Sequence, residues 1–594
     1  MRPLRIQSPR RALAGLCAAA CAAWTLGAQP VPSGVMALSE IKAGQRGEVW
    51  TVFQGTKPEP FSVEVTGVVL NALGPGKSII LCRLTDPRVQ DMGAVAGMSG
   101  SPLYIDGKFA GALSYQMQRF ETVRYAGFTP EADMSEVADR VMSPAAGLAA
   151  SAEATSPQDA DQASGSGFLP MKPVFALGGV SPRTASIMTP QFESLGLGIV
   201  SVAGSSQGGP AALPGSVPQL SPGDAVSVAL TTGDITLAGT GTVSRVDGKR
   251  IVAFGHPMLG LGDVQLPLCS AEVVAILPST MESFKVANIG PVIGCISQDR
   301  LSAVSGLLGP GPQMTEVRVV AGSVGGQDRT LRFQVVRDKR IAPMIMLTGV
   351  VEGIFGSNEA ETGEGFRIRS TVTFSPTQQI TKESVYAGQQ GFLVGLVDFL
   401  GSLSAEIENP FEKALPTSVE FRVEPLESNP TVTVEQFEVS RTTVRAGETF
   451  QVTLGWRNFQ GTEESRTIDV PVDPSWTGKT LEVLVAPGRL LDELTGHGHS
   501  FRPGQLRSFD AYLEAMKGSR QEDGLCIAVV ERSALFFDQA VSTPDAPASI
   551  ERIAAAADSA RFQRREALVP LWETHVLEGK VSFTDFHRTV RVVE

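Results

Sequence analysis

A mainly β protein is expected, on three observations. Gly and Pro number 62 and 39 in a chain of 594 residues, well above the usual share of about 12%. Short runs rich in β-branched and aromatic residues recur between those turn formers. Two Asp-Gly pairs, Asp106-Gly107 and Asp247-Gly248, each separate two apolar runs, as a tight hairpin requires. The length implies roughly four domains at about 150 residues each. With 42% hydrophobic and 19% charged residues, bulk disorder, collagen and a polytopic membrane protein are excluded. Aromatics are 6%, and no heptad run supports a coiled coil. The net charge of −12 argues against nucleic acid, whose binders carry basic stripes.

The N-terminus resembles an export leader. Arg2, Arg5, Arg10 and Arg11 form a positive region without an acid, and Ala12 to Leu26 is a 15-residue apolar stretch. That is short for a membrane span. Leu26-Gly27-Ala28 offers small residues for cleavage, so residues 1–28 are assigned as a signal peptide. A lipoprotein alternative at Cys21 lacks the customary Leu. The mature chain is expected in the periplasm or outside the cell, with no membrane span. Cys82, Cys269, Cys295 and Cys526 then remain, far apart and without a C-x-x-C pair, so neither zinc nor redox chemistry is indicated. One disulfide or buried free thiols fit equally.

Along the chain, residues 36–142 carry short strands: Val49 to Phe53, Phe61 to Leu70, Ser78 to Leu84, then the two runs around Asp106-Gly107. Glu131 to Met142 has helical spacing. Residues 143–167 are almost all Ala, Ser, Gly and Asp and are expected to be a flexible linker. Residues 168–350 return to strands, including the pair around Asp247-Gly248. A β/α extension is expected over 351–425, with a helix from Gln390 to Leu403 interrupted by Asp398. Strands at roughly 8–12-residue spacing predict an immunoglobulin-like sandwich over 426–490. An α/β region follows over 491–594, with a helix at Phe509 to Lys517.

Two segments carry chemistry. Gly97-Met98-Ser99-Gly100-Ser101-Pro102 sets a serine between glycines ahead of a strand. A nucleophilic serine needs its Oγ on a sharp turn with backbone N–H groups converging beside it, and glycine permits both. The corresponding turn of chymotrypsin-like folds reads G-D-S-G-G-P. Aligned on it, Ser99 is the nucleophile, Ser101 stands at the second glycine, and the Gly97 and Ser99 amides form the oxyanion hole. The bland alternative is an ordinary Gly/Ser/Pro turn.

The second segment is Phe254-Gly255-His256-Pro257. Of five histidines, His256, His497, His499, His575 and His587, only His256 lies in the first 490 residues. A serine needs a base titrating near neutrality, and imidazole is the usual one. Asp86, Asp91 and Asp263 are each placed to orient its Nδ1–H. His497-Gly498-His499 brings two ligands without a third, so no metal or cofactor is expected.

These residues are similar to the SpoIVB-type serine peptidases. Three blocks carry the likeness: Ser39 to Asp86; Ala96 to Pro130, AGMSGSPLYIDGKFAGALSYQMQRFETVRYAGFTP; and Gly239 to Pro257, GTGTVSRVDGKRIVAFGHP, with a further stretch from Leu266 to Arg300. The resemblance implies a chymotrypsin-like double β-barrel and a serine endopeptidase acting on protein or peptide substrates. It implies Ser99 as nucleophile, His256 as base and Asp86 as the acid. The serine block precedes the histidine block here, the reverse of the family's sporulation member, and no PDZ module is evident. Against this stands a catalytically inactive, peptidase-like binding or scaffold protein of the cell envelope. An acyl hydrolase is a weaker third reading, because the strand–elbow–helix setting is missing.

Overall fold

The computed structural model describes residues 33–594 except 118–122, 141–167, 172, 202–218, 279–282, 324–326, 357–363, 408, 410, 412–414, 497–507, 539–540, 545–546, 548, 550–551 and 553–562. The leader, the 143–167 linker, His497 and His499 lie outside the described residues.

Apolar alternation builds the first barrel from β1 (Arg46–Thr51), β2 (Glu59–Val69), β3 (Ile79–Leu84), β4 (Pro102–Ile105), β5 (Lys108–Met117) and β6 (Tyr125–Pro130). The strand order is β4-β1-β2-β3-β6-β5, and β4 also pairs with β5, so the ring closes. Closure removes the exposed edges that an open sheet would leave. Val49, Phe61, Val63, Ile80, Leu113 and Phe128 fill its interior. The Asp106-Gly107 turn joins β4 to β5 with both residues at positive φ, 51° and 75°, the geometry of a type I′ hairpin. Helix α1 (Pro87–Met92) follows β3. Helix α2 (Glu131–Ala138) follows β6 and ends four residues short of the expected Met142.

Next come β7 (Phe168–Pro170), which pairs with β5, then β8 (Phe175–Gly178), α3 (Pro182–Ser194) and β9 (Ile199–Ser201). A second ring follows from β10 (Ala225–Gly233), β11 (Thr236–Asp247), β12 (Arg250–Ala253), β13 (Gly262–Leu277), β14 (Phe284–Arg300) and β15 (Ala303–Leu308). Its order is β10-β13-β14-β15-β12-β11, closed by a β10–β11 pairing. Two six-stranded rings give the double β-barrel expected from the resemblance.

The rings are joined by side chains from both. Trp50, Tyr104, Phe109 and Met134 pack with Val252 and Ala303, and Val52 packs with Ala225, Ala271 and Val273. Arg245 of β11 reaches Glu131 of α2 at 2.5 Å. The seam between the barrels is therefore a packed interface rather than a hinge.

The sheet of the second ring continues through Arg329–Val336, Met314–Ala321, Ser418–Leu426, Gly365–Ser375 and Gln378–Tyr386. Helices Ala342–Phe355 and Gly388–Ile407 belong to the same core. The second helix matches the one expected at Gln390 to Leu403. It is long and apolar enough to cross a membrane by composition, while Phe392, Leu396, Phe399 and Leu403 are buried in the core. Asp398, which interrupts the apolar run, pairs with Arg489 at 2.6 Å.

The C-terminal organisation differs from the expected division at residue 490. A three-stranded sheet (Val432–Val439, Thr449–Asn458, Glu463–Pro471) packs on a second sheet that includes Thr480–Ala486, Leu525–Asp538 and Phe586–Val593. Phe437, Phe450 and Trp456 share one core with Val483, Ile527 and Val590. The sandwich thus spans both segments. Its closure depends on Thr443–Arg445 pairing in parallel with residues 591–593, a contact that local periodicity does not encode. Cys82, Cys269, Cys295 and Cys526 are all free thiols, three of them buried.

Candidate active site

The serine turn enters β4 at the seam. Gly97 and Gly100 both adopt positive φ, 95° and 93°, a region that side chains with a Cβ rarely occupy. The turn is held internally by Met98 N–H donating to Val95 O at 2.9 Å and Ser101 N–H to Met98 O at 3.0 Å. It is held to the first barrel by Gly100 N–H donating to Leu113 O at 2.7 Å. It is held to the second by three bonds from β11. Thr242 N–H donates to Ser99 O at 2.8 Å, Thr242 Oγ1 to Gly97 O at 3.1 Å and Ser244 Oγ to Gly100 O at 2.7 Å.

Gly100 marks the closest approach of the barrels. A Cβ there would overlap the Thr242 carbonyl and the Phe254 backbone. Gly100→Ala is therefore expected to force the barrels apart and cost about 3 kcal/mol, the upper end for overpacking, read as a lowered denaturation midpoint.

Within the turn the two serines differ. Ser101 Oγ donates to Met98 O at 2.6 Å. Ser99 Oγ is buried without a hydrogen-bond partner. Among the described residues, the Gly97 and Ser99 backbone N–H groups also donate no hydrogen bond. Buried amides are nearly always paired, so two idle donors flanking an idle hydroxyl form a cradle for an acceptor.

His256 follows β12 directly. Phe254 and Gly255 both take φ of 68°. That conformation is rare for a bulky aromatic residue, and such strain concentrates at functional sites. The Phe254 ring packs over Gly241 and lies edge-on to the imidazole at 6.1 Å between centroids. Gly255 O accepts from Thr129 Oγ1 of the first barrel at 2.6 Å. His256 is fully buried, and its Nδ1 sits 2.7 Å from Pro257 O. A carbonyl only accepts, so Nδ1 carries the proton and the neutral ring presents its lone pair at Nε2. Nε2 is buried with no partner. Burial pushes the imidazole down to about 4, partly opposed by the Pro257 bond.

Ser99 and His256 thus sit on segments laced together by Thr242, whose carbonyl accepts from Phe254 N–H at 3.2 Å. No hydrogen bond joins Ser99 Oγ to His256 Nε2.

The structure does not bring the expected acid to the imidazole. Asp86 caps α1, accepting from Arg88 N–H at 2.9 Å, and pairs with the Arg88 guanidinium at 3.1 Å. Its local sequence Asp-Pro-Arg is a helix start, and that role absorbs the carboxylate. Asp91 is exposed, and Asp263 pairs with Arg300 at 2.6 Å.

Sequence reasoning missed two residues. Asp299 of β14 is fully buried. Its carboxylate accepts from Met258 and Leu259 N–H at 2.7 Å each, and from Leu261 N–H at 3.5 Å. It braces the loop whose first carbonyl holds His256. Lys285 of β14 is also buried, and Nζ reaches Thr51 Oγ1 at 2.8 Å. A charged residue inside the apolar opening of β14, Phe284-Lys285-Val286-Ala287, was the available signal for Lys285. No local pattern distinguishes Asp299 from a turn aspartate.

The SpoIVB peptidase S55 family model matches residues 22–129. That segment is similar to the SpoIVB-type serine peptidases. The match covers the first barrel with the Ser99 turn and ends in β6, so His256, Asp299 and Lys285 lie beyond it. No curated protein and no solved structure matches the chain.

Proposed function

We propose that this protein is an exported serine endopeptidase that hydrolyses protein or peptide bonds with Ser99 as nucleophile and His256 as base. The observation that carries it is the pair of buried, partnerless atoms, Ser99 Oγ and His256 Nε2, at one seam beside two idle amides. Ser99 Oγ attacks the scissile carbonyl carbon as its proton passes to Nε2. The carbonyl oxygen becomes an oxyanion held by the Gly97 and Ser99 N–H groups. The imidazolium then returns the proton to the leaving amine, and water, deprotonated by the same imidazole, cleaves the acyl-enzyme. Both reacting residues are nearly solvent-free, so substrate entry requires the cover of the turn to move. The arginine-rich leader supports export.

Asp299 takes the orienting role that Asp86 was expected to fill, acting through the 257–261 loop. Asp299→Asn replaces one accepting oxygen by a donor facing a backbone N–H. It is expected to lower kcat about 100-fold with KM unchanged. As the loop loosens, the acid limb of the pH–rate profile should rise from about 4 toward the ordinary histidine value. Asp86→Asn, a cap substitution, leaves both the rate and the limb in place. Unequal kcat losses with no movement of the limb would reduce Asp299 to a loop brace.

The second reading, an inactive scaffold on this fold, is favoured by the missing Ser99–His256 hydrogen bond, although unliganded sites are often loose. A fluorophosphonate probe separates the two. Labelling of the mature protein at Ser99, lost in Ser99→Ala and retained in Ser101→Ala, supports the peptidase. Labelling unchanged by Ser99→Ala would falsify the assignment, and none in the wild type favours the scaffold.

A further inference from the structure

Lys285 is a buried amine that the mechanism above does not use. Its Cβ, Cγ and Cδ lie 3.0, 3.2 and 3.1 Å from where a Gly97 Cβ would stand. The stem therefore lies along the residue whose amide forms half of the oxyanion cradle, and Nζ is two bonds further on. Backbone bonds fix this placement. Ala96 N–H donates to Ser283 O and Lys285 N–H to Ala96 O, each at 2.9 Å.

Among the described residues, no acid pairs with Nζ. Across from Lys285 on β13 stands Ile276. From β1 comes Thr51, the sole polar side chain on Nζ among the described residues. The acid opposite Thr51, Glu59, is engaged by Arg88 at 3.1 Å. The other titratable group of the site, His256, is neutral in the tautomer described. A buried lysine with no carboxylate among the described residues is unfavourable for folding, and such groups concentrate at functional sites.

We propose that the Lys285 ammonium stabilises the oxyanion formed at the Gly97 and Ser99 amides, so that the site uses two backbone dipoles and one fixed charge. This rests on the serine peptidase reading and extends it. Fixed positive charge in a dry site acts most strongly where negative charge develops. Burial pushes the Lys285 amine down to about 7, which puts the loss of that charge within reach of ordinary pH.

The test is the second-order rate of fluorophosphonate labelling at Ser99 from pH 5 to 10, in the full mature chain and in Lys285→Met and Lys285→Arg. The wild-type rate should fall above pH about 7. Lys285→Met should label on the order of 100-fold more slowly and lose that basic limb. Lys285→Arg should recover most of the rate without the limb, because guanidinium stays charged. Circular dichroism and thermal melting confirm that the variants are folded. A Lys285→Met rate within twofold of wild type overturns the proposal. So does a wild-type rate that rises through neutrality, which marks the amine as a base. A wild type that is never labelled at Ser99 overturns the peptidase reading and this proposal together.

Discussion

Ser99→Ala is expected to lower kcat on the order of 10⁶-fold, as loss of the nucleophile does in a serine peptidase. His256→Gln should lose a comparable factor, because without a base the hydroxyl proton has nowhere to go. The two losses should not add. A nucleophile and its base act as one unit, so the double variant is expected to match either single variant. KM should stay near wild type in all three, since neither side chain is needed to bind the ground state. Ser101→Ala is the control. It removes one buried hydrogen bond to Met98 O, worth about 1 kcal/mol, and should keep activity within tenfold. Kinetics on a fluorogenic peptide library read all four variants. Additive losses for Ser99→Ala and His256→Gln would mean that the two residues serve separate steps.

Lys285→Met is expected to stabilise the fold while impairing the site. The folded amine titrates at about 7 against an ordinary 10.5, so it is depressed on folding. Above 10.5 both states are neutral and burial carries no charge penalty. As pH falls from there the unfolded chain takes up a proton that the folded chain resists, and stability drops. Below about 7 both are protonated and the penalty is complete. At about 1.4 kcal/mol per pH unit it reaches about 5 kcal/mol. Methionine removes it and leaves Thr51 without its partner, a loss of about 1–2 kcal/mol. A net gain of about 3 kcal/mol is therefore expected at pH 6, shrinking toward zero or below by pH 10. Urea midpoints of the two proteins at both pH values read it. A gain that does not change with pH would mean that the folded amine titrates as it does in the unfolded chain and carries no charge penalty of burial. A slower but more stable variant would match the trade-off of functional sites, where stability is given up for charge placement.

The legible parts of this protein were those that short stretches encode. Asp106-Gly107 and Asp247-Gly248 set hairpins through their own φ preferences, with Gly107 and Gly248 at 75° and 60°. The helix at Gly388–Ile407 followed from its apolar spacing. Ser99 and His256 stood out as candidates because each sits on a turn with neighbouring glycines at positive φ. Asp86 shows the limit. The resemblance implied it as the catalytic acid, yet Arg88 two residues on captures its carboxylate. Asp299 stands 43 residues beyond His256 and meets the following loop only because β14 runs alongside it. The extent of the C-terminal sandwich past residue 490 was hidden for the same reason, since residues 443–445 and 591–593 pair across the whole segment.

By itself, the order of amino acids determined a β-rich chain with an acidic balance, tight turns at fixed places and two candidate site residues, a serine and a histidine, on glycine-flanked turns. Only the folded arrangement decided that two closed rings meet at Gly100 and that Thr242 ties the serine loop to the histidine loop. It also decided that Asp299 and Lys285, from one strand, are buried against the loop after His256 and beside Gly97 respectively. Propensity acts over a few residues, whereas ring closure and burial depend on strands brought together from far apart. Charge and proton chemistry at a seam therefore become defined only once the seam exists.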